Sequence, residues 1–237
     1  MNARERMLGR LRAAAPAQVS GDDLKRLDQQ IDLHYDSRRV ALPTQALVES
    51  MQAALAASHA EVFRATERSW PALIAQRLLD ANVKRLLLDT SRAEGAALKQ
   101  ALPASMATCN YDQPIENWKA ELFDTVDAGF TVARSGLAST GTLIVAPDAG
   151  SPRTMSLVPP LHIALVYAHS LHADLHAAMR AEHWQAGMPT NLVMISGPSK
   201  TSDIQQTLAY GAHGPRELWV VIVEQADAAI ATDGDAA

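Results

Sequence analysis

Glu61-Val-Phe-Arg-Ala-Thr-Glu-Arg-Ser-Trp-Pro-Ala-Leu-Ile-Ala-Gln-Arg-Leu-Leu-Asp-Ala-Asn-Val-Lys-Arg-Leu-Leu-Leu-Asp89 holds a strand, a helix and a second strand in succession. Glu61–Thr66 has strand length. Trp70–Ala81 reads as a helix, because Leu73, Ile74, Arg77 and Leu78 recur at helical spacing and Pro71 sits in the first turn, where its missing N–H is tolerated. Arg85–Asp89 carries three leucines in a row. A period of two cannot turn consecutive apolar residues to one face, so this strand is buried on both faces, as strands inside parallel sheets are.

The rhythm continues downstream. Arg92–Leu102 is a helix closed by Pro103, a weaker strand lies around Met106–Tyr111, and Ile115–Val126 is a helix with Trp118, Leu122 and Val126 on one face. Alternation at this spacing implies right-handed βαβ crossovers: an α/β fold with a mainly parallel sheet flanked by helices. Phe130–Ala133, Gly141–Ala146 and Leu161–Tyr167 are strand-like but joined by loops, which suggests an antiparallel excursion or a sheet edge. Ser170–Trp184 reads as a helix burying Leu171, Leu175, Ala178 and Met179. Glu217–Val223 is a final strand, with Leu218, Val220 and Ile222 on one side and Val221 and Val223 on the other.

Upstream, helical patterns cover residues 2–15, ending at Pro16, and a stretch from Thr44 carrying Leu47, Val48, Met51 and Leu55. Between them, Gly21–Arg39 is charged and poor in apolar residues, suiting a wrapping arm in which Leu24, Leu27 and Ile31 could still pack. The chain divides into an N-terminal helical arm (1–58), an α/β domain (59–224) and a flexible acidic tail (225–237).

Composition narrows the function. The 237 residues are 48% hydrophobic and 20% charged, with a net charge of −5, so there is no electrostatic footprint for nucleic acid. A single cysteine, Cys109, can form neither an internal disulfide nor a self-contained cysteine-bound zinc or iron–sulfur site. It fits a reducing compartment. No apolar run approaches the roughly 20 residues of a membrane span. The basic N-terminus lacks the apolar core of a signal peptide, so a cytoplasmic protein is expected.

Two stretches carry candidate chemistry. In Asn191–Pro215, a short apolar run (Leu192–Ile195) leads into a turn of Gly197, Pro198, Ser199, Lys200 and Thr201. Ser202 and Gln205 have the spacing of a capping box for a short helix ending at Gly211. A loop feeding a helix start presents backbone N–H groups, and Lys200 adds a positive charge beside them, which is the physics of an anion site. A capped corner without ligand has the same pattern. In Arg134–Arg153, Thr140, Gly141 and Thr142 cluster hydroxyls and a flexible backbone at a strand start, for close ligand approach or simply a turn. Arg153 follows a Pro/Gly/Ser loop, where its fork could clamp a carboxylate or phosphate, or stand solvated.

The histidines divide by setting. His162 lies within an apolar strand, where a satisfied core residue is the commoner outcome. His213 sits in a loop between Gly211 and Gly214, where function concentrates. His172 and His176 have an i, i+4 spacing, but no carboxylate accompanies them as in H-E-x-x-H, so a solvated helix face is expected and no metal. There is no G-x-G-x-x-G, the phosphate-loop spacing is wrong and no G-x-S-x-G elbow occurs. No nucleotide or other cofactor is expected.

Taken together, Thr140-Gly-Thr142, Arg153, Pro160-Leu-His-Ile163, Ser196-Gly-Pro-Ser-Lys-Thr-Ser-Asp-Ile204 and Gly211-Ala-His-Gly-Pro215 resemble the lactate utilization protein C family, the LUD domain, from about Val40 to Val223. The combination is specific; each piece alone is weak. The resemblance implies a fold similar to the ribose-5-phosphate isomerase, glucosamine-6-phosphate deaminase and CoA-transferase group. It also implies a part in bacterial L-lactate oxidation to pyruvate beside two iron–sulfur partner proteins. The matching positions define a candidate small-anion site: Thr140, Gly141, Thr142, Arg153, His162, Gly197, Pro198, Ser199, Lys200, Thr201, Asp203, His213 and Gly214. Ser139 stands where many relatives have an acidic residue, so no acid–base or nucleophilic role carries over to it. An accessory non-redox subunit is the first expectation. A stand-alone enzyme on a small phosphorylated, carboxylated or CoA-linked metabolite, or a metabolite-sensing scaffold, stays open beside it.

Overall fold

A parallel sheet does form from the alternation that begins at Glu61. The computed structural model describes residues 2–14, 20–202 and 208–225, in two units, Met1–Ala41 and Leu42–Ala237. The first unit holds α1 (Ala3–Ala14) and α2 (Gly21–Asp36), neither of which buries a residue. The wrapping arm expected over Gly21–Arg39 is helical for most of its length. Ser20 caps α2: its Oγ accepts the Asp23 N–H at 3.1 Å and donates to Asp23 Oδ2 at 2.7 Å. Asp22 and Asp23 add negative charge at the positive end of the helix.

The second unit runs α3 (Thr44–Ala57), β1 (Glu61–Thr66), α4 (Trp70–Asp80), β2 (Arg85–Leu87), α5 (Ala93–Ala101), β3 (Ala107–Cys109), α6 (Ile115–Asp124) and β4 (Ala128–Val132). There follow β5 (Ser135–Leu137), β6 (Thr142–Val145), α7 (Thr154–Leu157), β7 (Leu161–Tyr167), β8 (Leu171–His172) and α8 (Leu175–Ala181). The last elements are β9 (Val193–Ile195), β10 (Lys200–Ser202), β11 (Leu208–Tyr210) and β12 (Glu217–Glu224). Among the described residues, six strands form one sheet in the order β1-β12-β7-β4-β2-β3, every pair parallel. A smaller sheet, β8-β5-β6-β9, is antiparallel at β5–β6 and β6–β9. The looped middle of the chain thus contributes to both sheets. Its β5–β6 hairpin is the antiparallel excursion, whereas β4 and β7 lie at the centre of the main sheet, not at an edge.

Strand parity divides the core. On β12, Leu218, Val220 and Ile222 face a cluster containing Val48, Met51 and Leu55 of α3 and Leu143 and Val145 of the small sheet. Trp219, Val221 and Val223 face the opposite cluster, with Trp70, Ile74 and Leu78 of α4 and Leu98 of α5. A third cluster sets Trp118 and Leu122 of α6 beside Leu87 and Met155. α3, grouped with the arm by sequence, buries three side chains in the α/β core.

Two helices expected from sequence are corrected. Lys200–Ser202 pairs antiparallel with Leu208–Tyr210, so a hairpin stands where a helix capped by Ser202 was expected. Gln205 and Asp203 lie outside the described residues. A cap contributes only about 1 kcal/mol, too little to outweigh strand pairing. Gly211 is left-handed (φ 79°) as anticipated, but its N–H donates to Ser199 O at 2.9 Å and closes the hairpin base, not a helix end. Over Ser170–Trp184, Leu171 and His172 instead pair with Gly136 and Leu137 of β5. The helix starts only after Asp174, whose side chain accepts the Ala177 N–H at 2.8 Å. That shift exposes Leu175 and Met179 and buries His176 with Ala178, so His172 and His176 no longer share a helix face.

Candidate functional site

His162 is the second residue of β7, beside Gly129 of β4 and Leu218 of β12. Its parity with Ala164 and Val166 turns it to the face covered by α3 and the small sheet. Only 1% of it is exposed. Nε2 lies 2.8 Å from Thr131 Oγ1, while Nδ1 is buried with no hydrogen-bond partner. Burial lowers its pKa from the ordinary 6.5 to about 3, so the ring is neutral at pH 7. Leaving a buried acceptor or donor unpaired costs about 1–3 kcal/mol, and native interiors rarely do so without a reason.

His162 borders a cavity of about 210 Å³ at the amino ends of β7 and β12, with Nδ1 itself sealed from it. One wall is β9 with the ribbon Ser196-Gly197-Pro198-Ser199, another is His213-Gly214-Pro215, and Ser156 and Leu157 of α7 complete it. Backbone bonds lock these walls together. The Ser199 N–H donates to Pro215 O at 2.8 Å, and the Arg216 N–H to Pro160 O at 2.8 Å. A hydroxyl chain fixes the ribbon from behind, Thr140 Oγ1 to Thr142 Oγ1 and Thr142 Oγ1 to Ser196 Oγ, both 2.7 Å. Gly197 has φ 144°, and a Cβ there would lie 2.7 Å from Ser58 O, so a side chain would push the ribbon off the end of α3.

The structure brings His162, Gly197, Pro198, Ser199, His213 and Gly214 to one cavity and leaves the other candidates outside its lining. Thr140 and Thr142 support the ribbon. Gly141 (φ 60°) is packed on α3, where a Cβ would meet Leu55 N at 2.7 Å, which makes it a packing turn. Arg153 is exposed; its carbonyl accepts the Ser156 hydroxyl at 3.0 Å. Thr201 pairs with Ala209 in the hairpin, and Asp203 lies outside the described residues. Lys200 lines an adjoining groove of about 450 Å³ with Ser58 and His59. No Lys, Arg, Asp or Glu lines the cavity itself. Sequence reasoning missed Ser156 and Thr131, which carry no local signal; Ser196 stood in the motif but was not singled out.

A separate cavity of about 250 Å³ opens at the carboxyl ends of β7 and β12, where open α/β sheets usually bind ligands. Two of its polar groups are engaged: Glu224 Oε1 accepts from Arg64 Nε at 2.7 Å, and Tyr167 Oη donates to Glu94 Oε1 at 3.0 Å. No buried polar atom there is orphaned among the described residues. The motif residues gather at the amino-end cavity instead. Among the described residues no cluster of three His, Cys, Asp or Glu could hold a metal, and no helix is long and apolar enough to cross a membrane.

Fold and cavity define the class: an α/β protein with a central parallel sheet flanked by helices and a histidine-floored cavity at its amino edge. The chain belongs to the LUD domain family, whose pattern matches residues 48–223. It is 36% identical over 228 residues to an uncharacterized protein of Neisseria meningitidis serogroup B, covering 94% of each chain. Lactate utilization protein C of Halalkalibacterium halodurans is 32% identical over 108 residues, 44% of this chain and 47% of that protein. The protein of the same name from Oceanobacillus iheyensis is 20% identical over 229 residues, 93% of this chain and 98% of that protein. A DUF162 family protein from Deinococcus radiodurans shares the fold, with a TM-score of 0.58 and 23% identity over 77% of this chain and 99% of that one.

Proposed function

We propose that this chain takes part in lactate utilization as an accessory, non-redox component of L-lactate oxidation to pyruvate, binding a small anionic metabolite at the ribbon of residues 196–199. The cavity that His162, Gly197, Pro198, Ser199, His213 and Gly214 line together carries the binding reading. Its pathway rests on family membership and on the similar proteins named lactate utilization protein C. Electron transfer falls to iron–sulfur partners, since Cys109 alone cannot ligate a cluster. Deletion of the gene in a host without a duplicate should abolish growth on L-lactate, and wild type but not His162→Leu should restore it. Undiminished growth of the deletion strain would remove the pathway assignment, and failure of the iron–sulfur proteins to co-purify would remove the partnership. A second reading, turnover in the same cavity, draws on His213, an exposed residue that lines the cavity with the buried His162. Conversion of a supplied 2-hydroxy or 2-oxo acid by the purified chain alone would favour it.

A further inference from the structure

The cavity and the groove differ in chemistry although they share Met194, Ser196, Gly197 and Pro198. The cavity holds no charged residue, and its buried contact is a neutral imidazole. At about 210 Å³ the cavity is about half the size of the groove and suits a compact group. An ionised carboxylate placed there would find no Lys or Arg in the lining to pair with. The groove is larger and polar, and it contains the ammonium of Lys200. Lys200 has no acidic partner among the described residues.

The groove is also built. Lys200 is paired with Tyr210 in the hairpin, and the Tyr210 ring meets the His59 ring edge-on at 5.5 Å between centroids. His59 takes a left-handed backbone (φ 66°), uncommon for a residue with a side chain, and thereby turns the chain out of α3 beside the groove. Lys200, His59 and Ser58 therefore line a groove along the same ribbon that walls the cavity.

We infer that the ligand is bipartite: an uncharged hydrogen-bonding head, an amide, ester, thioester or hydroxyl group, occupies the cavity beside His162, and an anionic end lies across the ribbon at Lys200. The inference rests on the reading of the cavity as a ligand site and adds the polarity and direction of what fills it. It explains why Gly197 and Pro198 lie between the two: a ribbon with little side chain lets a linker cross.

A probe series separates the two claims. ω-Carbamoyl alkanoates, with an amide at one end and a carboxylate at the other, and the matching phosphonates are titrated into the full-length protein across a range of methylene spacers. The matching diamides and dicarboxylates serve as controls, with binding followed by ligand-observed NMR. The amide–acids should bind more tightly than either control, with an optimum spacer. Lys200→Ala should weaken them about tenfold, the loss of one charge-assisted hydrogen bond, while leaving the diamides unchanged. Preference between carboxylate and phosphonate identifies the anionic end. Diamides that bind as well as amide–acids, or no effect of Lys200→Ala, would overturn the bipartite ligand and leave the cavity reading standing. Absence of binding by every probe, or binding unaffected by His162→Leu in a folded protein, would overturn both.

Discussion

His162 is the most deeply buried residue of the proposed site, a neutral imidazole with two ring nitrogens to satisfy and a partner for one. Its titration has a consequence for stability. The folded pKa, about 3, is depressed below the ordinary 6.5, so between these values the unfolded chain binds a proton that the folded chain does not. Stability must then fall as pH drops through that window, by about 1.4 kcal/mol per pH unit for this one group. Urea denaturation from pH 7 to pH 4 should show a shallower decline in His162→Leu than in wild type; parallel declines would mean that His162 titrates normally. The pair with Thr131 makes a second prediction. Thr131→Val alone strands Nε2 as well and should cost about 1–3 kcal/mol, whereas adding His162→Leu removes both buried polar groups and should recover part of the loss. A double-mutant cycle with additive losses would refute the coupling.

At the scale of elements, tertiary pairing overrode local signals twice. The S-x-x-Q spacing at Ser202 promised a helix, yet the flanking residues pair as β10 and β11, and Leu171, with the right spacing for a helix face, pairs with Gly136 in a sheet. The converse miss is α2, whose cap Ser20 and acidic first turn were visible but whose exposed apolar residues gave too weak a stripe. The turn before β6 shows how elements dock. Gly141 is left-handed and in contact with the end of α3, so Gly141→Ala combines backbone strain with a clash at Leu55 N and Ala54. We expect a loss of more than about 2 kcal/mol, read as a lower denaturation midpoint, with weaker ligand binding following from displacement of the Thr140–Thr142–Ser196 hydroxyl chain. A midpoint within error of wild type would show that the turn gives way freely.

For the whole molecule, the question is where the α/β unit begins. Val48, Met51 and Leu55 of α3 are fully buried, while α1 and α2 bury nothing. Each of the three would cost about 2–5 kcal/mol if truncated to alanine, and their sum rivals the typical total stability of about 5–15 kcal/mol. A chain starting at Leu42 should therefore unfold cooperatively near the wild-type midpoint, and one starting at His59 should not fold. Circular dichroism melts of the two truncations would decide it.

What the sequence determined by itself was the parallel sheet and the motif residues, six of which the tertiary structure gathers at one cavity. Three consecutive leucines at 86–88, the two-faced Leu218–Val223 run and the helical stripes between strands are short-range patterns, and burial on both faces leaves few alternatives. The residues of Gly197–Ser199, His162, His213 and Gly214 were legible because they resemble a family motif. Only the tertiary structure decided what each does. Register across neighbouring strands sets Thr131 against His162 Nε2 and leaves Nδ1 bare; the hairpin carries Lys200 to the groove and not the cavity; the approach of α3 makes Gly141 a packing turn. These outcomes depend on contacts between residues far apart in the chain, and no local spacing encodes them.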